Sequence, residues 1–396
     1  MSVSSIAIIG AGIAGLSAAA VLAASGHAVT LFEKARGPGG RLASRRTPEG
    51  PIDIGAQYFT VRDPRFAHAL GDWQAAGVVA SWGERLLSLG DGGWMTLKDQ
   101  SPRYVASPRM SALSRHLSAQ LPDNAQLHSN TRITRLVPTG DDCWQLESAE
   151  GQQHGPFARV LITVPAPQAI ALLATAGTDE KGMARSQDSL APHLSTALAK
   201  IEMAPTWTVM AALKSSLPPL KGQTDWQGLL VSRGDDVPLR CVMRQHSRPG
   251  REAARSETSK GRVTSTDHDH VAAKETLSLL ASAGWSEAHL EDSPEQVASA
   301  LWRAFCALPD MANLPREGDG VTLTAHRWRY AHPTHCVPPS MTTTPLAEKG
   351  LMLAGDGVRG PRVEDAWLSG LEAAEQLIED QLIDERENPA GQHASN

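Results

Sequence analysis

Cysteine is scarce in this 396-residue chain. Cys143, Cys241, Cys306 and Cys336 stand far apart and form no CxxC pair. That excludes a disulfide framework or a thiolate zinc knuckle and fits a reducing, cytoplasmic setting. Aromatic residues make up 5%, with only 3 Tyr and 5 Phe, too few to favour a cage of aromatic rings. No apolar run approaches the roughly 20 residues that a membrane span needs. No basic segment precedes the first apolar run, so a secretory signal is not expected. The net charge of −6 gives no general affinity for nucleic acid or an anionic membrane. Hydrophobic content of 41% and charged content of 20% are those of an ordinary globular protein. The length favours two domains over one core.

The opening residues carry the strongest signal. Ser5 to Ile9 is apolar with strand character, Gly10-Ala11-Gly12-Ile13-Ala14-Gly15 follows, and Leu16 to Ala23 reads as a helix. Ala28 to Phe32 reads as a second strand and delivers Glu33. Strand, glycine turn, helix, strand and acid come in the order that a dinucleotide site requires. Gly10 permits the turn, Gly12 lets backbone approach a diphosphate, and Gly15 lets the helix pack on the strands. The diphosphate then meets free N–H groups at the positive end of the helix. Glu33 can accept hydrogen bonds from a ribose diol, which by itself suits NAD and FAD equally.

Three further stretches separate the two cofactors. Lys34-Ala35-Arg36-Gly37-Pro38-Gly39-Gly40-Arg41 makes a second glycine bend, Asp53 to Phe59 reads DIGAQYF, and Gly350 to Gly357 is a short apolar strand delivering Asp356. FAD is long, and one strand–helix–strand unit holds only its ADP half. Extra glycine bends supply backbone N–H groups without obstructing side chains. Glu33 with Gly39-Gly40-Arg41, and Ala354-Gly355-Asp356, resemble the two FAD signatures of the flavoprotein amine oxidase superfamily. Within it, Gly39 to Arg41, Asp53 to Thr60, Trp285 to Leu290 and His326 to Ala331 resemble the renalase family, its bacterial members most. This similarity runs from Ile6 to about Leu377.

The resemblance implies an α/β chain: a Rossmann-type FAD-binding domain interleaved with a second, α+β substrate domain built on a mostly antiparallel sheet. The expected FAD-binding domain spans 1–70, 105–192 and 345–385. The substrate domain spans 71–104 and 193–344, and 386–396 is a polar tail. Strands are expected at Gln126–His128, Thr131–Val137, Cys143–Glu147, Arg159–Val164, Thr206–Leu213, Gly228–Val231, Leu239–Arg244 and Val321–Tyr330. Helices are expected at Ser107–Leu121, at Pro294–Leu308 capped by Ser293, and from about Val363. Pro249 to His270 reads as a polar loop, and its Asp267-His268-Asp269-His270 lacks the rigid frame of a metal site. His326, His332 and His335 are not read as a metal set either, so no metal is expected.

Non-covalent FAD is the implied cofactor. The implied contacts are Gly10, Gly12, Ala14, Gly15, Glu33, Lys34, Gly40, Arg41, Gln57, Tyr58, Ile133, Gly355, Asp356, Ala366 and Trp367. Ala366 and Trp367 start a helix whose N-terminus would point at the flavin, and simple helix packing explains them equally well. Only one dinucleotide fingerprint is present, no CxxxxC relay follows it, and no Ser-His-Asp or Cys-His set stands out. A substrate would therefore give hydride directly to flavin, with O₂ as acceptor and H₂O₂ as product. A dihydropyridine becomes aromatic as it loses hydride and needs no general base. The resemblance thus implies a small-molecule dihydropyridine dinucleotide as substrate, with 2- and 6-dihydro isomers of NAD(P)H oxidised to NAD(P)⁺. The alternatives are an amine oxidase or desaturase-type enzyme on the same fold, or a non-catalytic flavin-binding protein. No catalytic base is assigned. Trp328 and Tyr330 alternate on one strand face, and could line a pocket or fill a core. Arg327 and Arg329 lie opposite them, where Arg329 could meet a substrate phosphate or solvent.

Overall fold

Alternate residues of the first strand face two different cores. The computed structural model describes residues 5–97, 101–139, 143–176, 198–231, 234, 237–251, 273–338 and 350–387. The contacts divide it into two units. The first comprises Met1–Gly40, Ser114–Met203 and His332–Asn396, and the second Arg41–Leu113 and Ala204–Ala331. Residues 41–70 and 105–113, expected with the cofactor domain, group with the second unit. Side chains explain this: Ile52 and Ile54 pack with Met210 and Trp328.

The first unit is built on a parallel five-stranded sheet in the order Leu351–Leu353, Arg159–Ile162, Ser5–Ile9, Ala28–Glu33, Ala125–Ser129. Such a sheet is buried on both faces, which is why its strands read as continuous apolar runs. Ala7, Ile9 and Phe32 pack towards Leu136, Trp144, Leu146 and Phe157 of an antiparallel three-stranded sheet. Ile6, Ile8 and Leu31 pack towards Leu16 and Leu22 of helix Ile13–Ala24 and Ala374 and Leu377 of helix Val363–Glu387. These two helices approach so closely that a Cβ on Gly370 would lie 2.0 Å from the Ala14 carbonyl oxygen.

The second unit holds a seven-stranded sheet in the order Val321–Pro333, Met203–Leu213, Glu275–Ala281, Leu239–Arg244, Gly228–Leu230, Leu86–Gly90, Gly93–Thr96. It is mostly antiparallel, with one parallel step between Gly228–Leu230 and Leu86–Gly90. Trp207, Val209, Ala211, Leu277 and Leu279 bury one face under Val297, Leu301, Trp302 and Phe305 of helix Pro294–Cys306. Ser293 caps that helix in a full capping box with Gln296.

Three elements differ from expectation. Glu275–Ala281 is a central strand buried at every position, and it lacks the alternation that marks a strand in sequence. The helix expected at 107–121 covers Ser111–Ala119, because Ser107 is held by the Val78 carbonyl before Pro108. The last helix runs as far as Glu387, past position 386 where a polar tail was expected to begin. Residues 388–396, and Asp267 to His270 with most of the expected 249–270 loop, lie outside the described residues. No helix among the described residues is long and apolar enough to cross a membrane.

Candidate functional site

In the first unit the glycine turn has the geometry its spacing predicts. Gly10 has φ +109°, and an added Cβ would lie 2.7 Å from Thr163 Oγ1. A Cβ on Gly15 would lie 2.0 Å from the Gly10 carbonyl oxygen, so no larger residue fits there. Gly12 is different: an added Cβ would meet nothing within 4 Å. It is also the N-cap of helix Ile13–Ala24, with no side-chain cap and no acid in the first turn. An uncapped helix start behind an open glycine is an anion cradle.

Glu33 is buried and turned towards this cradle. Its carboxylate accepts from the backbone N–H of Ala11 at 3.0 Å and of Ala35 at 2.8 Å. One lone pair on each oxygen stays available for a ribose diol. The second glycine bend folds back on the first, because Gly39 N–H donates to the Ala11 carbonyl at 2.9 Å. Gly39 and Gly40 both have positive φ, and a Cβ on Gly40 would lie 3.6 Å from Gly12 Cα. Gly355, at φ +121°, donates its N–H to Ser369 Oγ at 2.8 Å and presents the buried Asp356 at the end of its strand. The donors, the open glycine and the two carboxylates fit a dinucleotide with a polyol arm.

The Ala14 side chain is buried where Gly370 crosses it, so it packs the two helices while its backbone N–H stays in the first turn of the helix. Lys34 is exposed and donates to Gln168 Oε1 at 3.3 Å. The Ile133 side chain sits in the apolar core, leaving only its backbone for a ligand. Ala366 and Trp367 are partly buried near the start of the last helix. That start carries the buried acids Glu364 and Asp365, which offset the positive helix end. Asp365 also pairs with Arg362 at 3.0 Å, pushing that guanidinium up through hydrogen bonding.

The second unit holds the remaining candidates. Arg41 donates from Nη1 to the Ala331 carbonyl at 3.0 Å. Gln57 is saturated. Its Nε2 donates to the carbonyls of Asp53 and Gly55, and its Oε1 accepts from Arg248 at 2.8 Å and Gln245 at 3.3 Å. The Gln57 side chain therefore braces the chain and has no group left for a cofactor. Tyr58 lies between Trp82, at 6.4 Å between ring centroids, and the Arg103 guanidinium at 5.5 Å.

Trp328 donates from its indole N–H to the Ile54 carbonyl at 2.8 Å and packs on Ile52, Ile54 and Met210, with the His326 ring edge-on. Tyr330 is partly buried on the same strand face. Arg329, expected at a substrate phosphate or in solvent, lies on the opposite strand face and is paired with Glu291 at 2.8 Å, and Arg327 shares that carboxylate. Hydrogen bonds from Arg329 hold the Glu291 carboxyl below its ordinary range. Burial, with the Arg45 charge, pushes the His326 imidazole down to about 4.

Beneath these residues lies a buried polar network that the sequence did not reveal. Asp53 pairs with Arg251 at 2.5 Å and Arg248 at 3.2 Å, and also accepts from Ser44 Oγ at 2.6 Å and Met110 N–H at 3.0 Å. Burial pushes the Arg248 guanidinium down to about 10. Arg248 precedes, and Arg251 lies within, a stretch read only as a polar loop, and no local pattern ties them to Asp53. Thr163 and Ser369 were also missed, for they match no motif.

Residues 8–73 match the NAD(P)-binding Rossmann-like domain family, and residues 80–378 match the flavin containing amine oxidoreductase family. A hydroxyneurosporene desaturase of Rubrivivax gelatinosus is 46% identical over 57 residues, which are 14% of this chain and 11% of the desaturase. A 4,4'-diapophytoene desaturase (4,4'-diaponeurosporene-forming) of Staphylococcus haemolyticus is 47% identical over 58 residues, 15% of this chain and 12% of that protein. The chain thus spans about a tenth of the length of these curated relatives. Among solved structures, a protein assigned as a protoporphyrinogen oxidase from Exiguobacterium sp. 255-15 superimposes with a TM-score of 0.68 at 15% identity, over 96% of this chain and 100% of that one. A reduced UDP-galactopyranose mutase gives 0.69 at 13% identity, over 96% and 94%. These two show the shared fold. With most of its length matched, from the second unit to the last helix, the chain belongs to the flavin containing amine oxidoreductase family.

Proposed function

We propose that this chain binds FAD non-covalently and dehydrogenates a small molecule in the manner of the oxidases and desaturases of its family. The open Gly12 at an uncapped helix start, with Glu33 turned towards it, is the observation that carries the dinucleotide reading, and the Gly355-Asp356 segment with the family match supports FAD as that dinucleotide. Bound flavin supplies a hydride acceptor whose electrons pass on to O₂ or another acceptor. The chain's own residues do the holding. Backbone N–H groups at Ile13 to Gly15 receive the diphosphate, Glu33 the adenosine ribose, and Asp356 the polyol arm. Hydride removal needs a placed donor carbon and excluded water rather than a covalent nucleophile.

The partial desaturase matches and the protoporphyrinogen oxidase likeness support dehydrogenation at carbon. A second reading is renalase-like oxidation of 2- and 6-dihydro isomers of NAD(P)H, with H₂O₂ as product. The renalase-like segments at Gly39–Arg41, Asp53–Thr60, Trp285–Leu290 and His326–Ala331 support it.

The test is anaerobic bleaching of the visible flavin band. Holoprotein is mixed in turn with protoporphyrinogen, putrescine and borohydride-reduced NAD⁺. Bleaching by protoporphyrinogen or putrescine supports the first reading. Bleaching only by the reduced NAD⁺ mixture, with loss of the 2- and 6-dihydro absorbance, supports the second. A flavin that none of them reduces, and that also resists turnover in a wider panel, would leave a non-catalytic flavoprotein.

A further inference from the structure

The peptide between Gly10 and Ala11 is held at both ends. Its N–H, on Ala11, donates to Glu33 Oε2 at 3.0 Å. Its carbonyl, on Gly10, lies 2.9 Å from Thr163 Oγ1, which also lies 3.1 Å from the Ile9 carbonyl. A peptide is planar and trans, so fixing the carbonyl direction fixes the N–H direction. The hydroxyl of Thr163 therefore orients the N–H that in turn orients the Glu33 carboxylate. The Ala11 carbonyl, on the next peptide, receives Gly39 N–H at 2.9 Å and so registers the second glycine bend against this turn.

Packing confines Thr163 to this task. Its own N–H donates to the Ile9 carbonyl at 2.9 Å. Its Oγ1 would lie 2.7 Å from a Cβ on Gly10 and 3.1 Å from one on Gly15. Its carbonyl oxygen would lie 3.7 Å from a Cβ on Gly355. Thr163 is thus the point where the opening turn and the Gly355-Asp356 segment meet, although it belongs to neither motif.

We propose that Thr163 is a positioning residue for the cofactor. Through its hydroxyl it aligns the Gly10–Ala11 peptide, and with it the Glu33 carboxylate, for the ADP half of FAD. The inference rests on the FAD reading above. Thr163→Val keeps the shape and removes the hydroxyl, whereas Thr163→Ser keeps the hydroxyl and removes the methyl. Apoprotein of each is titrated with FAD by fluorescence quenching, apoprotein melting is measured alongside, and phosphorus NMR follows the bound diphosphate.

Losing one neutral hydrogen bond predicts FAD affinity weakened about tenfold in T163V and about unchanged in T163S. The diphosphate resonances shift in T163V alone, and the two apoproteins melt alike. Equal affinity of T163V and wild type overturns the proposal, as does equal weakening in both variants, which would make the effect one of packing. A T163V chain that does not fold, beside a T163S chain with altered diphosphate resonances, also overturns it. Wild-type apoprotein that takes up no FAD at all would instead overturn the cofactor reading.

Discussion

Replacing Asp53 with Asn should be among the most damaging single changes in the second unit. Asp53 is fully buried, and its carboxylate receives Arg251 at 2.5 Å, Arg248 at 3.2 Å, Ser44 Oγ at 2.6 Å and Met110 N–H at 3.0 Å. Asn keeps the shape but leaves two buried guanidinium groups without a counter-charge, one of them facing an amide donor. Breaking a buried pair in this way costs about 3–5 kcal/mol, against a total stability of about 5–15 kcal/mol for a typical protein. Arg248→Met provides the contrast. It removes the surplus cation and leaves Asp53 paired with Arg251, so its cost should be closer to the roughly 1–3 kcal/mol of an unsatisfied Gln57 carbonyl. Urea unfolding followed by tryptophan fluorescence measures both, with Trp82 reporting from beneath Arg248 at 4.7 Å. A D53N loss below about 1 kcal/mol, or an R248M loss larger than that of D53N, would refute the reasoning.

Three further outcomes are expected. Gly370→Ala places a Cβ 2.0 Å from the Ala14 carbonyl oxygen, a backbone atom that cannot swing away; thermal melting should show a loss of about 1–3 kcal/mol and a weaker hold on FAD. His326 titrates at about 4 in the fold and at its ordinary 6.5 when unfolded. Its contribution is therefore complete above pH 6.5 and is lost as pH falls towards 4; His326→Asn should flatten that part of the stability–pH curve. Trp328→Phe deletes the 2.8 Å bond to the Ile54 carbonyl, which Thr208 Oγ1 still serves at 2.9 Å; chemical denaturation should register a loss of about 1 kcal/mol.

What could be read from the sequence was local. The glycine turn, Glu33 and the Gly39-Gly40 bend lie within forty-one residues, and Gly10 and Gly15 answer steric demands that no other residue meets. The Ser293 cap was equally legible, because a capping box is written in four consecutive residues. Contacts across long separations were not. Asp53 and Arg251 stand 198 positions apart, and nothing in a polar loop announces a buried arginine. Gln57 was expected at the cofactor, yet its side chain is fully engaged within the protein. The alternation of Trp328 with Tyr330 left pocket wall and core filling open, and nothing local announces that its indole N–H serves the Ile54 carbonyl. Strand Glu275–Ala281 escaped because burial on both faces erases the period of two.

The account stands or falls on whether the opening turn and the distant carboxylate grip one FAD together. Apoprotein should take up one FAD per chain. The double variant Glu33→Gln with Asp356→Asn should melt near the wild type yet lose affinity by about a hundredfold, as two charge-assisted hydrogen-bond sites are weakened. Retention of the yellow pigment at wild-type affinity in that variant would contradict it.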